Sequence, residues 1–316
     1  MLGMSKNAGK TTAMNTIIRD YPDKGVLCVT SIGMDGESRD LVTGTAKPSI
    51  WIREGMLAAT AERLLPFCDV SREILSATGI NTSLGEVVIF RARSDGFVQL
   101  AGPSIVDQMG KLRMILTQFG TDCILIDGAL NRKSPLAGTI DGVCILSAGA
   151  SLDRDINKVV EETAYAVDLL CLPEFVGKKL SAALSGQIGI LHKDGRESFY
   201  ENSVNFPELS GQDNIFFPGA LTESYGRTLL RNKFVAGGVS IVVKDASCLL
   251  LKRATWKSLV ARGVNFFVQR RTYLAAVTIN PYSPEGWQFE PSVFLEKMRT
   301  SISVPVLDVL SCGGKC

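Results

Sequence analysis

The residues best suited to chemistry lie in a short loop near the start of the sequence, Lys6-Asn7-Ala8-Gly9-Lys10-Thr11-Thr12. The loop fits the G-x-x-x-x-G-K-S/T pattern of phosphate-binding loops except at the first glycine, where Met4 stands. Gly9 would let the backbone approach an anion, Lys10 would reach the β- and γ-phosphates, and Thr11 would ligate Mg²⁺. An ordinary Gly/Lys turn before a helix is the alternative, so other parts of the chain must decide.

A second candidate is the run Asp122-Cys123-Ile124-Leu125-Ile126-Asp127-Gly128. Four apolar residues followed by an acid are typical of a buried parallel strand that brings a carboxylate beside a phosphate loop. There the carboxylate of Asp127 would hold Mg²⁺ directly or through water. An Asp-Gly turn after any strand looks the same. The combination with the Gly9-Lys10-Thr11 motif, at a separation of a few βα units, favours a nucleotide site.

Asp35 is a third candidate. It follows the apolar run 25–30, and carboxylates just past the carboxyl end of a strand lie where ligands bind in open parallel sheets. Asp35 would coordinate Mg²⁺ through water or position a nucleophilic water, and a solvated Asp-Gly turn is the alternative.

The residues expected to contact the nucleotide are Asn7, Ala8, Gly9, Lys10, Thr11 and Thr12. The residues expected at the metal are Thr11, Asp127 and Asp35, and those expected in the reaction are Lys10, Asp127 and Asp35.

The elements that must position these residues alternate between strand and helix, which predicts an α/β fold with a mainly parallel sheet covered by helices on both faces. We expect a helix at 54–67, a hairpin of 85–93 with 96–100, and a second hairpin of 187–192 with 196–200. A boundary near 174 would divide the chain into a nucleotide-binding domain, 1–174, and a C-terminal α/β domain, 175–316. Only two residues precede Gly3, so the first strand is a stub or the true start lies upstream, and we favour the second.

Composition excludes several classes of protein. The formal net charge of +2 provides no field for nucleic acid or acidic membranes, and the apolar runs fall short of the roughly 18–20 residues that span a bilayer. The eight cysteines are mostly dispersed, which predicts a cytoplasmic, reducing environment. Cys312 and Cys316 form a redox or metal tail or, as we favour, a frayed end.

His192 is the only histidine, so a metal site built from several histidines is excluded. It is also the one candidate base for Ser-His-Asp chemistry, but we favour a strand histidine beside a turn without a catalytic role.

These motifs carry a resemblance. The loop is similar to the K-N-x-G-K-T-T loop of small nucleotide-binding proteins such as the molybdopterin-guanine-dinucleotide accessory protein. More of the chain resembles the P-loop subunit of the lysine 5,6-aminomutase reactivase family. The segments concerned are Gly79-Ile80-Asn81-Thr82-Ser83-Leu84-Gly85-Glu86, Gln99-Leu100-Ala101-Gly102-Pro103-Ser104, Ile126-Asp127-Gly128-Ala129 and Asn280-Pro281.

The resemblance implies an ATP- and Mg²⁺-dependent accessory protein, a P-loop ATPase of lysine fermentation. Its partners would be a mismatch-repair-like ATPase companion and a cobalamin-dependent aminomutase that has lost its adenosyl group. The ATPase would release the damaged cobalamin through a conformational cycle. Two other classes stay open: a P-loop ligase resembling dethiobiotin synthetase, and a nucleotide-regulated binding protein with little turnover.

Overall fold

The structure is a computed structural model that describes residues 1–33, 50–128, 142–180, 186–201, 209, 211–231 and 238–309. Asp35, Cys312 and Cys316 lie outside the described residues. The chain is α/β, with mostly parallel and mixed sheets. The strands are β1 (Leu2–Gly3), β2 (Leu27–Ser31), β3 (Ile50–Ile52), β4 (Leu57–Ala61), β5 (Arg72–Thr82), β6 (Gly85–Ala92), β7 (Gly96–Val98), β8 (Cys123–Asp127), β9 (Val143–Gly149), β10 (Ile188–Leu191), β11 (Glu197–Tyr200), β12 (Asn214–Phe216), β13 (Leu221–Thr222), β14 (Ser240–Val243), β15 (Leu249–Leu250), β16 (Asn265–Val268), β17 (Tyr273–Asn280) and β18 (Val306–Asp308). The helices are α1 (Lys10–Asp20), α2 (Val106–Gln118), α3 (Ile156–Leu170), α4 (Glu223–Arg231), α5 (Arg253–Ala261) and α6 (Pro291–Ser301).

Parallel strands form the centre of the molecule. One sheet has the order β1-β9-β17-β18, and β2 pairs in parallel with β8 in a second sheet. Met1 joins the two, because its amino nitrogen donates to the Ile126 carbonyl at 2.8 Å and its carbonyl accepts from Gly128 N–H at 3.0 Å. The strands β2, β8, β1, β9 and β17 therefore end side by side at one edge.

Beyond β2 the sheet continues with β4, which is parallel to β2, and then with β6 and β5, each antiparallel to the strand before it. The helix expected at 54–67 is wrong: its middle is strand β4, and a 3₁₀ helix follows at Glu62–Phe67. All five residues of β4 are buried between β2 and β6, and this tertiary pairing overrides the helical composition. The first expected hairpin is also wrong. Both edges of β6 are taken by β4 and β5, so β7 pairs with β3 instead.

Helices cover both faces of this sheet, as predicted. On one face Met14 and Ile18 of α1 pack with Leu27 and Val29. On the opposite face Met109, Leu112 and Leu116 of α2 pack with Cys28, Leu57 and Ile89. Alternate residues of β2 thus enter opposite cores, which explains why its sequence is apolar throughout. Around β9 and β17, a third core is built with α3 and α6.

Residues 188–268 hold a separate five-stranded sheet in the order β11-β10-β12-β14-β16. Helices α4 and α5 pack on one of its faces around Leu229, Trp256 and Leu259. The second expected hairpin is confirmed as the antiparallel pair β10 and β11. The predicted boundary near 174 assigns β17 and β18 to the C-terminal domain, but both belong to the sheet of the candidate phosphate loop, because β17 pairs in parallel with β9 and β18 pairs in parallel with β17. In the described part of the chain, no helix combines the length and apolar character needed to cross a membrane.

Candidate functional site

The candidate phosphate loop connects the end of β1 to the start of α1. Asn7 and Gly9 both adopt left-handed backbone conformations, with φ of 61° and 91°. The Gly9 carbonyl accepts the first helical hydrogen bond, from Ala13 N–H at 3.0 Å, and none of the described side chains caps the helix. The first-turn N–H groups, which have no partners inside a helix, therefore face the end where an anion would be favoured.

Lys10 connects this loop to β8. Its Nζ atom lies 2.7 Å from Oδ1 of Asp127 and donates to the Gly128 carbonyl at 2.6 Å. Oδ1 is shielded from solvent and, among the described residues, accepts no hydrogen bond of regular geometry, so its contact with Lys10 is an ion pair by distance. The side chains remain 18% and 24% exposed. The two strongest sequence candidates are thus brought together at the edge of the sheet.

The end of β2 fixes the backbone of Asp127. The Asp127 carbonyl accepts from Ile32 N–H at 2.8 Å and from the Ser31 hydroxyl at 3.3 Å. Gly102 passes so close to this strand end that a Cβ there would lie 2.0 Å from the Ser31 carbonyl. The Asp127 carbonyl is therefore fixed by two residues at the end of β2. The chain continues past Gly33 into the residues that contain Asp35, outside the described part.

Asn280, at the end of β17, forms the other wall of the loop. Its side-chain nitrogen donates to the Asn7 carbonyl at 3.1 Å, and its Oδ1 accepts from Tyr282 N–H at 3.1 Å. A Cβ added to Gly9 would lie 2.8 Å from the Asn280 Cβ. The Asn280-Pro281 loop is one of the segments that carry the family resemblance, but nothing in the sequence predicts its contact with the candidate phosphate loop.

A cavity of about 310 Å³ lies against the segment that follows Asn280 in the chain. It is lined by Arg154 and by residues 285–289, and the Arg154 guanidinium sits 4.5 Å from the centre of the Trp287 ring. Trp287 Nε1 donates to the Ala150 carbonyl at 3.1 Å, and Ala150 N–H donates to the Asn280 carbonyl at 2.9 Å. The cavity is therefore two hydrogen-bonded steps from the residue that touches Gly9.

The remaining predicted residues lie in the loop or the first helical turn. Ala8 is buried, Thr11 is half-buried in the first turn of α1, and the Thr12 carbonyl accepts from the Thr16 hydroxyl at 3.0 Å. Among the described residues, no three His, Cys, Asp or Glu side chains are grouped to hold a metal ion. A cation here would depend on Asp127, the Thr11 hydroxyl and oxygens of its ligand.

Comparison of the chain with protein-family models, with curated proteins and with solved structures gave no match.

Proposed function

We propose that this chain binds a nucleoside triphosphate together with Mg²⁺ and hydrolyses it. We favour ATP over GTP as the nucleotide. The observation that carries the proposal is the ion pair of Lys10 with Asp127 beside the left-handed Gly9. A lysine, a carboxylate and a helix N-terminus meet at the carboxyl edge of parallel strands, the place where open α/β sheets bind ligands. An ordinary Gly/Lys turn before a helix would not require that Lys10 contact the end of β8.

The donor set fits Mg²⁺. This ion prefers oxygen ligands, keeps several waters and is often bound by one or two carboxylates plus substrate phosphates. Asp127 supplies the carboxylate, and Thr11 supplies a hydroxyl one residue after Lys10. Bound Mg²⁺ would neutralise negative charge on the phosphate oxygens.

The protein groups would act by position and charge. Lys10 would exchange its contacts with Asp127 and Gly128 for phosphate oxygens, and the N–H groups of the first turn of α1 would bind the same anion. Asp127 would then be free to hold the cation. Asn280 keeps the loop in its left-handed conformation through the Asn7 carbonyl. Such preorganised donors lower the barrier to phosphoryl transfer without covalent catalysis.

The cavity beside Trp287 is the place we propose for the nucleobase. It is connected to Asn280 through Trp287 and Ala150, and Trp287 and Arg154 are groups that stack on aromatic bases. This arrangement separates the two ends of the nucleotide: Lys10 and Asp127 read the phosphates, and the residues of the cavity read the base.

As the client of the ATPase we propose an inactivated cobalamin-dependent aminomutase, acting with a mismatch-repair-like companion subunit. This part rests on the family resemblance of the sequence segments, including Ile126-Asp127-Gly128-Ala129 and Asn280-Pro281. One of those segments, Asn280-Pro281, contacts the candidate phosphate loop through the hydrogen bond of Asn280 to the Asn7 carbonyl.

The test is phosphate release from ATP and GTP, with and without the inactivated aminomutase and the companion subunit. We expect Mg²⁺-dependent release that the partners stimulate and that Lys10→Ala abolishes; Lys24→Ala, outside the loop, is the control. Unchanged ATP affinity in Lys10→Ala protein would contradict the site. ADP formation that requires a small-molecule acceptor would identify a ligase, and tight ATP binding without phosphate release would identify a regulated binding protein.

A further inference from the structure

A second group of polar side chains lies on the other sheet, in the hairpin β10–β11 and at the start of β12. His192 Nε2 is 3.0 Å from the Ser198 hydroxyl oxygen, and His192 Nδ1 is 3.3 Å from Asp213 Oδ2. The other oxygen of Asp213 accepts from Lys193 N–H at 3.0 Å. A hydroxyl, an imidazole and a carboxylate therefore form one continuous hydrogen-bonded row.

The carboxylate fixes the proton on the imidazole. An ionised Asp213 only accepts hydrogen bonds, so His192 Nδ1 must donate to it. The neutral ring then has its lone pair on Nε2, and the Ser198 hydroxyl donates to that nitrogen. This is the arrangement in which a histidine removes the proton of an attacking serine while a third group holds the ring in the required tautomer.

Burial decreases along the row in the order that such chemistry requires. The Asp213 side chain is 3% exposed, the His192 side chain is 16% exposed, and Ser198 is half-buried on β11, at the edge of the sheet. His192 and Lys193 each contact one oxygen of the buried carboxylate. At the more open end of the row, water could hydrogen-bond to the Ser198 hydroxyl or to His192 Nε2, so these two groups do not need each other as partners. A nucleophile and its base, in contrast, must be in direct contact.

Strand pairing brings the three residues together. Residues Ser198 and Ile190 are directly opposite in the β10–β11 pair, and His192 follows Ile190 by two residues, so His192 and Ser198 share one face. Asn214 opposes Leu191 in the β10–β12 pair, which places Asp213 opposite His192. Ser198 lies within β11, whereas His192 directly follows β10 and Asp213 directly precedes β12, so the register of the three strands sets all three positions.

We propose that Ser198, His192 and Asp213 form a nucleophilic site for carboxylic esters, separate from the nucleotide site. The Ser198 oxygen would attack the ester carbonyl carbon while its proton passes to His192 Nε2. The carbon–oxygen bond to the alcohol breaks, and the alcohol leaves with that proton, giving an acyl-serine. Water then attacks the acyl carbon, its proton passes through Nε2 back to the serine oxygen, and the carboxylic acid is released.

The test is covalent labelling of the full chain with a fluorophosphonate, because labelling reports the nucleophile and its base whatever the natural ester is. Here the serine oxygen bonds to phosphorus, fluoride leaves, and the proton passes to Nε2. Peptide mass spectrometry should locate the adduct on Ser198. We expect Ser198→Ala to remove it and His192→Gln to slow it by about 100-fold, the typical contribution of a general base.

Two control variants and a folding measurement test whether the labelling is specific to this site. Ser76→Ala changes another half-buried strand serine, whose hydroxyl donates to the Ala77 carbonyl, and should leave the labelling unchanged. Lys10→Ala should also leave it unchanged, because the nucleotide site is separate. A thermal melt of His192→Gln verifies that the variant is folded. Lack of an adduct on Ser198 in the unaltered protein would overturn the proposal, and so would equal labelling rates for folded His192→Gln and the unaltered protein.

Discussion

Lys10 Nζ lies 2.7 Å from Asp127 Oδ1, a contact that joins the end of the candidate phosphate loop to the end of the parallel strand β8. The Lys10 cation compensates a carboxylate oxygen that is shielded from solvent. The same two groups are those that the proposed function assigns to the phosphates and to Mg²⁺. Nucleotide binding would therefore have to replace this pair, and substitutions at either end should separate the two roles.

Asp127→Asn should lower Mg²⁺-dependent phosphate release by about 100-fold, the scale for loss of one electrostatic contact at a reacting phosphate. The amide keeps the shape of the side chain but is a poorer Mg²⁺ ligand. Nucleotide affinity measured in EDTA should change by less than about threefold, because Lys10 and the helix N-terminus are retained. Asp23→Asn is the control, since Asp23 also forms a 2.6 Å ion pair, with Arg53, but on the surface. Equal losses in both variants, or a loss of EDTA affinity as large as the loss of turnover, would contradict the assignment.

Gly9→Ala should destabilise the protein and weaken nucleotide binding together. An alanine there would be strained by the φ of 91° and would also place its Cβ 2.8 Å from that of Asn280. Gly55→Ala is the matched control, because Gly55 has a φ of 86° but nothing within 4 Å of the added Cβ. The control should lose about 1 kcal/mol of unfolding free energy from the backbone term. Denaturant unfolding should show a larger loss for Gly9→Ala, and equal losses would mean that the contact with Asn280 does not matter.

The sequence predicted the parts of the site whose signals are local. Lys10 and Asp127 each stand at the end of a short motif, and the apolar run before Asp127 predicts the strand that carries it. The prediction for residues 57–61 failed because their Ala-rich composition favours a helix, whereas pairing with the distant strands β2 and β6 makes the segment a strand. Asn280 could not be placed because its contact with Asn7 joins residues 273 positions apart. Only the return of β17 to the first sheet creates that contact.

Alkaline pH should destabilise the protein through its buried thiols. Burial raises the pKa of the Cys28 thiol, which has no solvent exposure, so the thiol stays protonated in the folded chain when it ionises in the unfolded chain. This contribution is fully present below the unfolded pKa of about 8.5 and is lost as pH rises towards the folded pKa. Unfolding free energy should fall by up to about 1.4 kcal/mol per pH unit for each such thiol.

Cys28→Ala should reduce that slope between about pH 9 and 10 in urea unfolding experiments. Val29→Ala, the neighbouring buried residue of β2, is the control: it should lower the free energy at every pH and keep the slope. If the slopes of the Cys28→Ala variant and the unaltered protein agree, Cys28 is not the source of the alkaline loss.

The proposed base site can be separated from the phosphate site by comparing ATP with inorganic tripolyphosphate. Trp287→Ala removes the ring beside Arg154 and should weaken ATP binding by about 10-fold or more, the scale for one base stacked on an aromatic side chain. Tripolyphosphate has no base, so calorimetry should give the same affinity for the variant and the unaltered protein. Trp287→Phe keeps a ring but loses the Nε1 bond to Ala150 and should be intermediate; Trp51→Phe, on β3, should have no effect. If the unaltered protein binds tripolyphosphate as tightly as ATP, the base site is wrong and the phosphate site stands, whereas binding of neither ligand would contradict the proposed function itself.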